Sequence, residues 1–102
     1  MKMSFNEVEN TYSNDFLFSE ETIEYIGDIL NKHNVSVDDL CHYRRAMLYL
    51  FENDISDMDI NQDHLVVERL IVEHNLPIDP LRLNDYKNAT MDVYLRELSM
   101  SI

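Results

Sequence analysis

Glu20, Glu24 and Asp28 recur at four-residue spacing. On a helix this spacing lines three carboxylates along one face, roughly 6 Å apart. A second group, Glu52, Asp54, Asp57, Asp59 and Asp63, lies in a stretch without Lys or Arg between Arg45 and Arg69. Like charges four residues apart weaken a helix slightly, so the stripe works against its own element. The chemistry such arrays offer is docking on a cationic surface. Duplex DNA presents one charge per roughly 3.4 Å of axis on each strand. A single helical stripe is sparser, but two or three acidic faces and the 52–63 segment together approximate that density. These eight residues are the predicted contacts with a basic, nucleic-acid-binding protein. The competing reading is a merely solubilising surface. Against it stands the whole-chain balance of 20 Asp and Glu to 8 Lys and Arg, a formal net charge of -12 on 102 residues, where solubility asks for a magnitude of roughly 2–8.

Other chemistry is weaker. Asp57, Asp59, Asn61 and Glu68 occupy the first, third, fifth and twelfth positions of a calcium-loop spacing, a degenerate match. Gln62 stands where glycine permits the sharp turn, and His64 where an apolar residue belongs. His33, His42, His64 and His74 make no metal-ligand or catalytic spacing. Cys41 reads as a small buried apolar residue, and no nucleophile has an identifiable base or anion nest. The residues therefore predict binding rather than catalysis, with no cofactor. Direct nucleic-acid binding is disfavoured because Arg44-Arg45 is the sole adjacent basic pair and no basic patch exists to release counterions.

Composition sets the frame for those residues. A 45% hydrophobic content is too high for a charge-swollen coil. One Gly and two Pro argue for helices with short connections rather than a turn-rich β fold. A single cysteine rules out an intramolecular disulfide. Met1–Phe5 is not followed by the apolar run of a signal peptide, and Leu65–Val72, broken by Glu68 and Arg69, is too short to span a bilayer. The default location is the cytoplasm of a bacterium or an infected host, away from membranes.

Residues 1–18 read as an arm packed on the body, with a short helix over Ser4–Asn10. Ser19 is placed as an N-cap, with Glu20 and Glu21 where the helix dipole favours anions. Ile23, Ile26 and Leu30 follow at helical spacing, and Gly27 predicts a close helix contact. His33-Asn34 ends that helix. Ser36-Val37-Asp38-Asp39 is a capping box flanked by Val35 and Leu40 as a hydrophobic staple. Leu40, Tyr43, Met47, Leu50 and Phe51 make the core face that follows. An acid-rich connector runs from Asn53 to about Asn61, with Asn61 as the next N-cap. Leu65, Val66, Val67, Leu70, Ile71 and Val72 form a face wider than a surface helix needs. It is either the centre of the bundle or a dimer surface through Leu65, Val66, Leu70 and Ile71, with a strand as the alternative. Asp79-Pro80 restarts a final helix, kinked near Asn84 and running to about Ser99, with Tyr86, Ala89, Val93, Tyr94 and Leu98 toward the core.

The predicted architecture is thus all-α: a compact bundle of about four helices over 19–102 with an N-terminal arm. The predicted function is inhibition or regulation of a basic partner, by DNA mimicry, as in a phage or mobile-element inhibitor. Alternatives are an antitoxin or immunity protein against a cognate toxin, a dimeric helical regulator or secretion chaperone, and a degenerate calcium-binding module.

Overall fold

Four helical starts are each held by a side-chain oxygen, from Ser4, Ser36, Asp59 and Asp79. In the computed structural model, which describes residues 3–12, 20–56 and 59–100, Ser4 Oγ accepts from the Glu7 amide at 3.1 Å ahead of α1 (Phe5–Tyr12). Helix α2 is Glu20–His33. The Ser19 cap and the arm beyond Tyr12 lie outside the described residues. Ser36 caps α3 (Val37–Glu52) by accepting from the Asp39 amide, and both Val35 and Leu40 are buried as the staple requires. Asp59, two residues before the expected Asn61, caps α4 (Ile60–His74). Asp79 caps a 3-10 turn over Pro80–Arg82, with Pro at its start. That turn winds into α5 (Leu83–Met100). The change of helical pitch falls at Arg82–Leu83, just ahead of Asn84.

Helix ends share one device. Asn34, Asp54 and Asn75 adopt φ values of 53°, 54° and 51°, the left-handed conformation that glycine most often supplies. The amide one residue later then reaches back: Val35 to the Leu30 carbonyl, Ile55 to Leu50, and Leu76 to Ile71, at 2.9–3.0 Å. In this way short polar residues stop three helices in a chain whose single glycine lies mid-helix.

Packing centres on α5 and α3. Helix α5 lies against α2 and α3, and α3 also receives α1 and α4. Tyr86, Ile26, Leu40, Leu50, Val8 and Val67 are the largest fully buried side chains, so every α-helix contributes to one core. The described residues form no strand, and α4 is helical despite its β-branched content. Its burial settles the wide apolar face. Val67, Leu70 and Ile71 belong to the molecule's own core, while Leu65 is 52% and Val72 80% exposed. The dimer surface expected through Leu65, Val66, Leu70 and Ile71 is therefore corrected: two of its four residues are unavailable to a second chain.

Other expectations about facing change as well. Tyr86, Ala89 and Val93 are buried, but Tyr94, Leu98 and Phe51 are 59%, 46% and 51% exposed. Helix α5 carries a second apolar stripe, Met91, Leu95 and Leu98 with Tyr94 beside it, on the side away from its buried one. Gly27 makes no close contact: a Cβ built there meets nothing within 4 Å. It has helical neighbours on both sides and no positive φ, so Gly27→Ala should raise stability by about 0.5–1 kcal/mol. Chemical denaturation of the two chains checks this, with an unchanged m-value.

The N-terminal segment is fastened by a residue that sequence reasoning passed over. Asn53, buried at the end of α3, donates to the Met3 carbonyl (2.8 Å) and the Tyr49 carbonyl (2.9 Å), while its Oδ1 accepts from the Met3 amide. One side-chain amide thus pairs with both backbone groups of Met3, as a neighbouring strand would. Phe5 and Val8 bury themselves beside it, with the Phe5 ring edge-on to Tyr49 at 5.9 Å. Asn53→Ala should cost about 1–3 kcal/mol. Hydrogen exchange should show α1 opening well before α3 and α5 in the variant and together with them in the parent chain.

Candidate functional site

The eight predicted contact residues separate into three groups. Glu20, Glu24, Glu52 and Asp54 are exposed and take part in no ion pair among the described residues. Asp59 is exposed as well, but one of its oxygens accepts from the Asn61 amide as the α4 cap. Asp28 and Asp63 serve the fold. Asp57 lies outside the described residues.

Asp28 faces Arg96 of α5, whose two terminal nitrogens each donate to one carboxylate oxygen, Nη2 to Oδ2 at 2.9 Å. The same guanidinium donates to the Tyr25 carbonyl at 2.6 Å. The hydrogen bonding from Arg96 to Asp28 holds the Asp28 carboxyl below the usual carboxylate range. The third member of the acidic stripe is thereby neutralised, which relieves the like-charge spacing that made the stripe costly. Asp63 is removed for a different reason. It is 5% exposed and accepts from Ser56 Oγ at 2.7 Å, so it ties the connector to the first turn of α4, where the helix dipole favours an anion. Asp63 is not a surface contact.

The calcium spacing fails on geometry. Helix α4 begins at Ile60, so Asn61 and Glu68 lie on a continuous helix rather than a loop. Glu68 stands about 13 Å along the axis from Asp59 at 1.5 Å per residue. No group of metal-ligating side chains converges among the described residues.

Lys32, Arg82 and Arg96 form ion pairs within the fold. Arg82 Nη2 donates to the His33 and Asn34 carbonyls, and its Nε to Asp85 at 3.2 Å. Its guanidinium lies 5.6 Å from the centre of the Tyr86 ring. Lys32 and His33 both meet Asp92, at 3.7 and 2.7 Å. The His33 hydrogen bond, with Lys32 beside it, lowers the Asp92 carboxyl. Arg44 and Arg45 are half-buried on α3. What remains outside is dominated by carboxylates. Pairing Arg96 with Asp28 and Arg82 with the end of α2 needed contacts across 68 and 49 residues, which no local pattern announces.

Two chemically reactive side chains are also accounted for. Burial pushes the Cys41 thiol up, away from thiolate. Tyr43 Oη lies 2.8 Å from His64 Nε2 in the core, with the rings edge-on. Burial raises the Tyr43 hydroxyl and lowers His64, Lys87 adding to the latter. Both groups are therefore held neutral, and the consistent assignment has Tyr43 donating to Nε2 and the imidazole proton on Nδ1.

The sign of the resulting pH dependence follows from linkage. A histidine lowered by folding contributes stability above its unfolded value near 6.5, lost as pH falls through its folded value. Asp28 and Asp92, lowered from 3.8, lose their contributions only below that value. Stability should therefore decline in two separate windows on acidification. His64→Gln should flatten the first window and leave the second, as read from melting temperature between pH 7.5 and 3. Tyr43→Phe, which strands the buried imidazole nitrogen, should cost about 1–2 kcal/mol at neutral pH.

No protein-family model matches the sequence, and no curated protein or solved structure is significantly similar to it.

Proposed function

We propose that this chain is a non-enzymatic binding protein that docks its acidic surface on a positively charged, nucleic-acid-binding protein and blocks it, in the manner of a DNA mimic or phage-type inhibitor. The observation that carries this reading is the unequal use of charge. Arg82, Arg96 and Lys32 are committed to ion pairs within the fold. Glu20, Glu24, Glu52 and Asp54 remain exposed and unmatched among the described residues. A net charge of -12 that the fold does not consume is available to an external cation. Carboxylates on α2 and at the end of α3 would meet the lysines and arginines that otherwise bind phosphate. Opposed charge accelerates encounter and suppresses neutral or acidic competitors. Screening at physiological salt shortens its reach to about 8 Å, so association should be fast and salt-sensitive.

The corrected contact set makes the test sharper. Asp28 and Asp63 are left in place because their loss would damage the fold. Glu20→Lys, Glu24→Lys, Glu52→Lys and Asp54→Lys are combined in one chain. Immobilised parent protein should retain a basic nucleic-acid-binding protein from host lysate at low salt, release it at high salt, and compete with nucleic acid for it. The four-lysine chain, with unchanged helical content, should retain at least tenfold less. Equal retention by both chains at low salt would refute the electrostatic mechanism.

A further inference from the structure

Helices α3 and α5 pack against each other, and two adjoining depressions along their seam share Arg44 and Thr90. One is walled by Tyr94, the other by Phe51 and Met47. The buried side chains of Leu40, Tyr43 and Val93 form the floor, while Phe51 and Tyr94 stand 51% and 59% exposed at the rim. From Leu40 to Phe51 the groove follows twelve residues of α3, about 16 Å at 1.5 Å per step, or about three helical turns. Elsewhere on α5, Met91, Leu95 and Leu98 are also each about half exposed, Leu95 lining a separate depression beside α2. Apolar side chains grouped in this way on a small protein mark an interaction surface.

We propose that the α3–α5 groove receives an amphipathic helix of the partner protein, apolar along one face and flanked by lysine or arginine. The proposal rests on the basic-partner reading above and adds to it the element that is recognised. Length and shape fit a helix: apolar anchors at i, i+4, i+7 and i+11 span about 16 Å, the length of the groove along α3. A strand has no edge to join, because the described residues form no sheet. Charge selects the flanks. Glu52 and Asp54 stand exposed just past the Phe51 wall, and Glu97 lines the opposite end. Arg44 and Glu97 both line that depression, so its interior carries one charge of each sign. A second copy would bring another -12 against the same rim. Met47 gives the surface a side chain that can adjust to an incoming apolar face.

The test uses the intact protein and two fluorescein-labelled peptides of fourteen residues, identical in composition, built from leucine and lysine alone. One places leucines at helical spacing and the other alternates them. Fluorescence anisotropy at 150 mM salt should show the helical pattern binding at least tenfold more tightly than the alternating one. That preference should disappear in Phe51→Ser/Tyr94→Ser, two exposed positions whose replacement should leave the circular dichroism spectrum and melting temperature unchanged. Phe51→Ser alone serves if the double variant melts early. Equal affinity for the two peptides, or binding indifferent to the groove substitutions, would overturn the groove while leaving a purely electrostatic partner surface intact. Binding that needs Phe51 and Tyr94 but ignores the four-lysine replacement would support the groove and overturn the electrostatic reading. A parent chain that sediments as a dimer, and a groove variant that sediments as a monomer, would assign the groove to a second copy and overturn the proposal.

Discussion

The guanidinium groups of Arg82 and Arg96 hold α2 against α5, and much of the molecule's character follows from that use of scarce cations. Arg82 supplies donors to two carbonyls at the end of α2, where a helix otherwise leaves its last carbonyls without partners. Arg96 donates to the Tyr25 carbonyl in the interior of α2 and adds a two-point contact with Asp28. A charge-assisted bond to a half-buried carbonyl contributes about 1.5–3 kcal/mol, more than an exposed ion pair offers. Lysine could not substitute at either place, because only the planar fork reaches a carbonyl and a carboxylate at once. With 8 Lys and Arg in the chain, each guanidinium turned inward leaves the exterior more one-sided. The acidity of the surface and the joining of α2 to α5 are two results of one allocation.

What could be read in the sequence was what is local. Ser36, Asp79-Pro80 and the stop at Asn34 were legible because a cap acts on amides and carbonyls within a few residues of itself. The Asn61 cap was misplaced by two residues because Asp59 and Asn61 are both good caps, and the choice depends on how the connector enters the helix. Illegible were the contacts that join distant segments: Asn53 to Met3, Asp28 to Arg96, and Arg82 to the end of α2. Asn53 was read as the start of a connector, although it closes α3 and fastens the N-terminal segment. Asp63 was read as surface because its charge suggested it. A neighbouring serine that lets a carboxylate be buried has no periodic signature.

Helix α5 shows why facing was harder to read than existence. An amphipathic helix with one apolar stripe announces its buried side. A helix with two stripes does not, since Tyr94 and Leu98 obey the same spacing rules as Tyr86 and Val93. Burial resolves the ambiguity: α2 and α3 both cover the Tyr86–Val93 side, while among the described residues the other side stays about half exposed. Phe51 on α3 ends up exposed in the same way, one position past the buried Leu50. The residues assigned wrongly to the core are thus largely those that build the groove. It is this misfit between apolar periodicity and burial that the proposed groove would account for.

Charge and groove would divide the work of recognition between rate and lifetime. Carboxylates spread over α2 and the end of α3 act at a distance, raise the encounter rate and are weakened by salt. Leu40, Met47, Phe51 and Tyr94 act only on contact, where apolar area removed from water contributes about 25 cal/mol per Å² and slows dissociation. A surface with charge alone would hold any polycation briefly. A groove alone would accept any apolar helix, the chain's own included. Placing Glu52 and Asp54 directly beyond the Phe51 wall makes each filter the other. An apolar helix without cations would leave those carboxylates partly desolvated and unmatched, a cost of the kind that rejects wrong partners. A cationic segment without an apolar face would leave Phe51 and Tyr94 in water, with no gain from binding beyond what salt can remove.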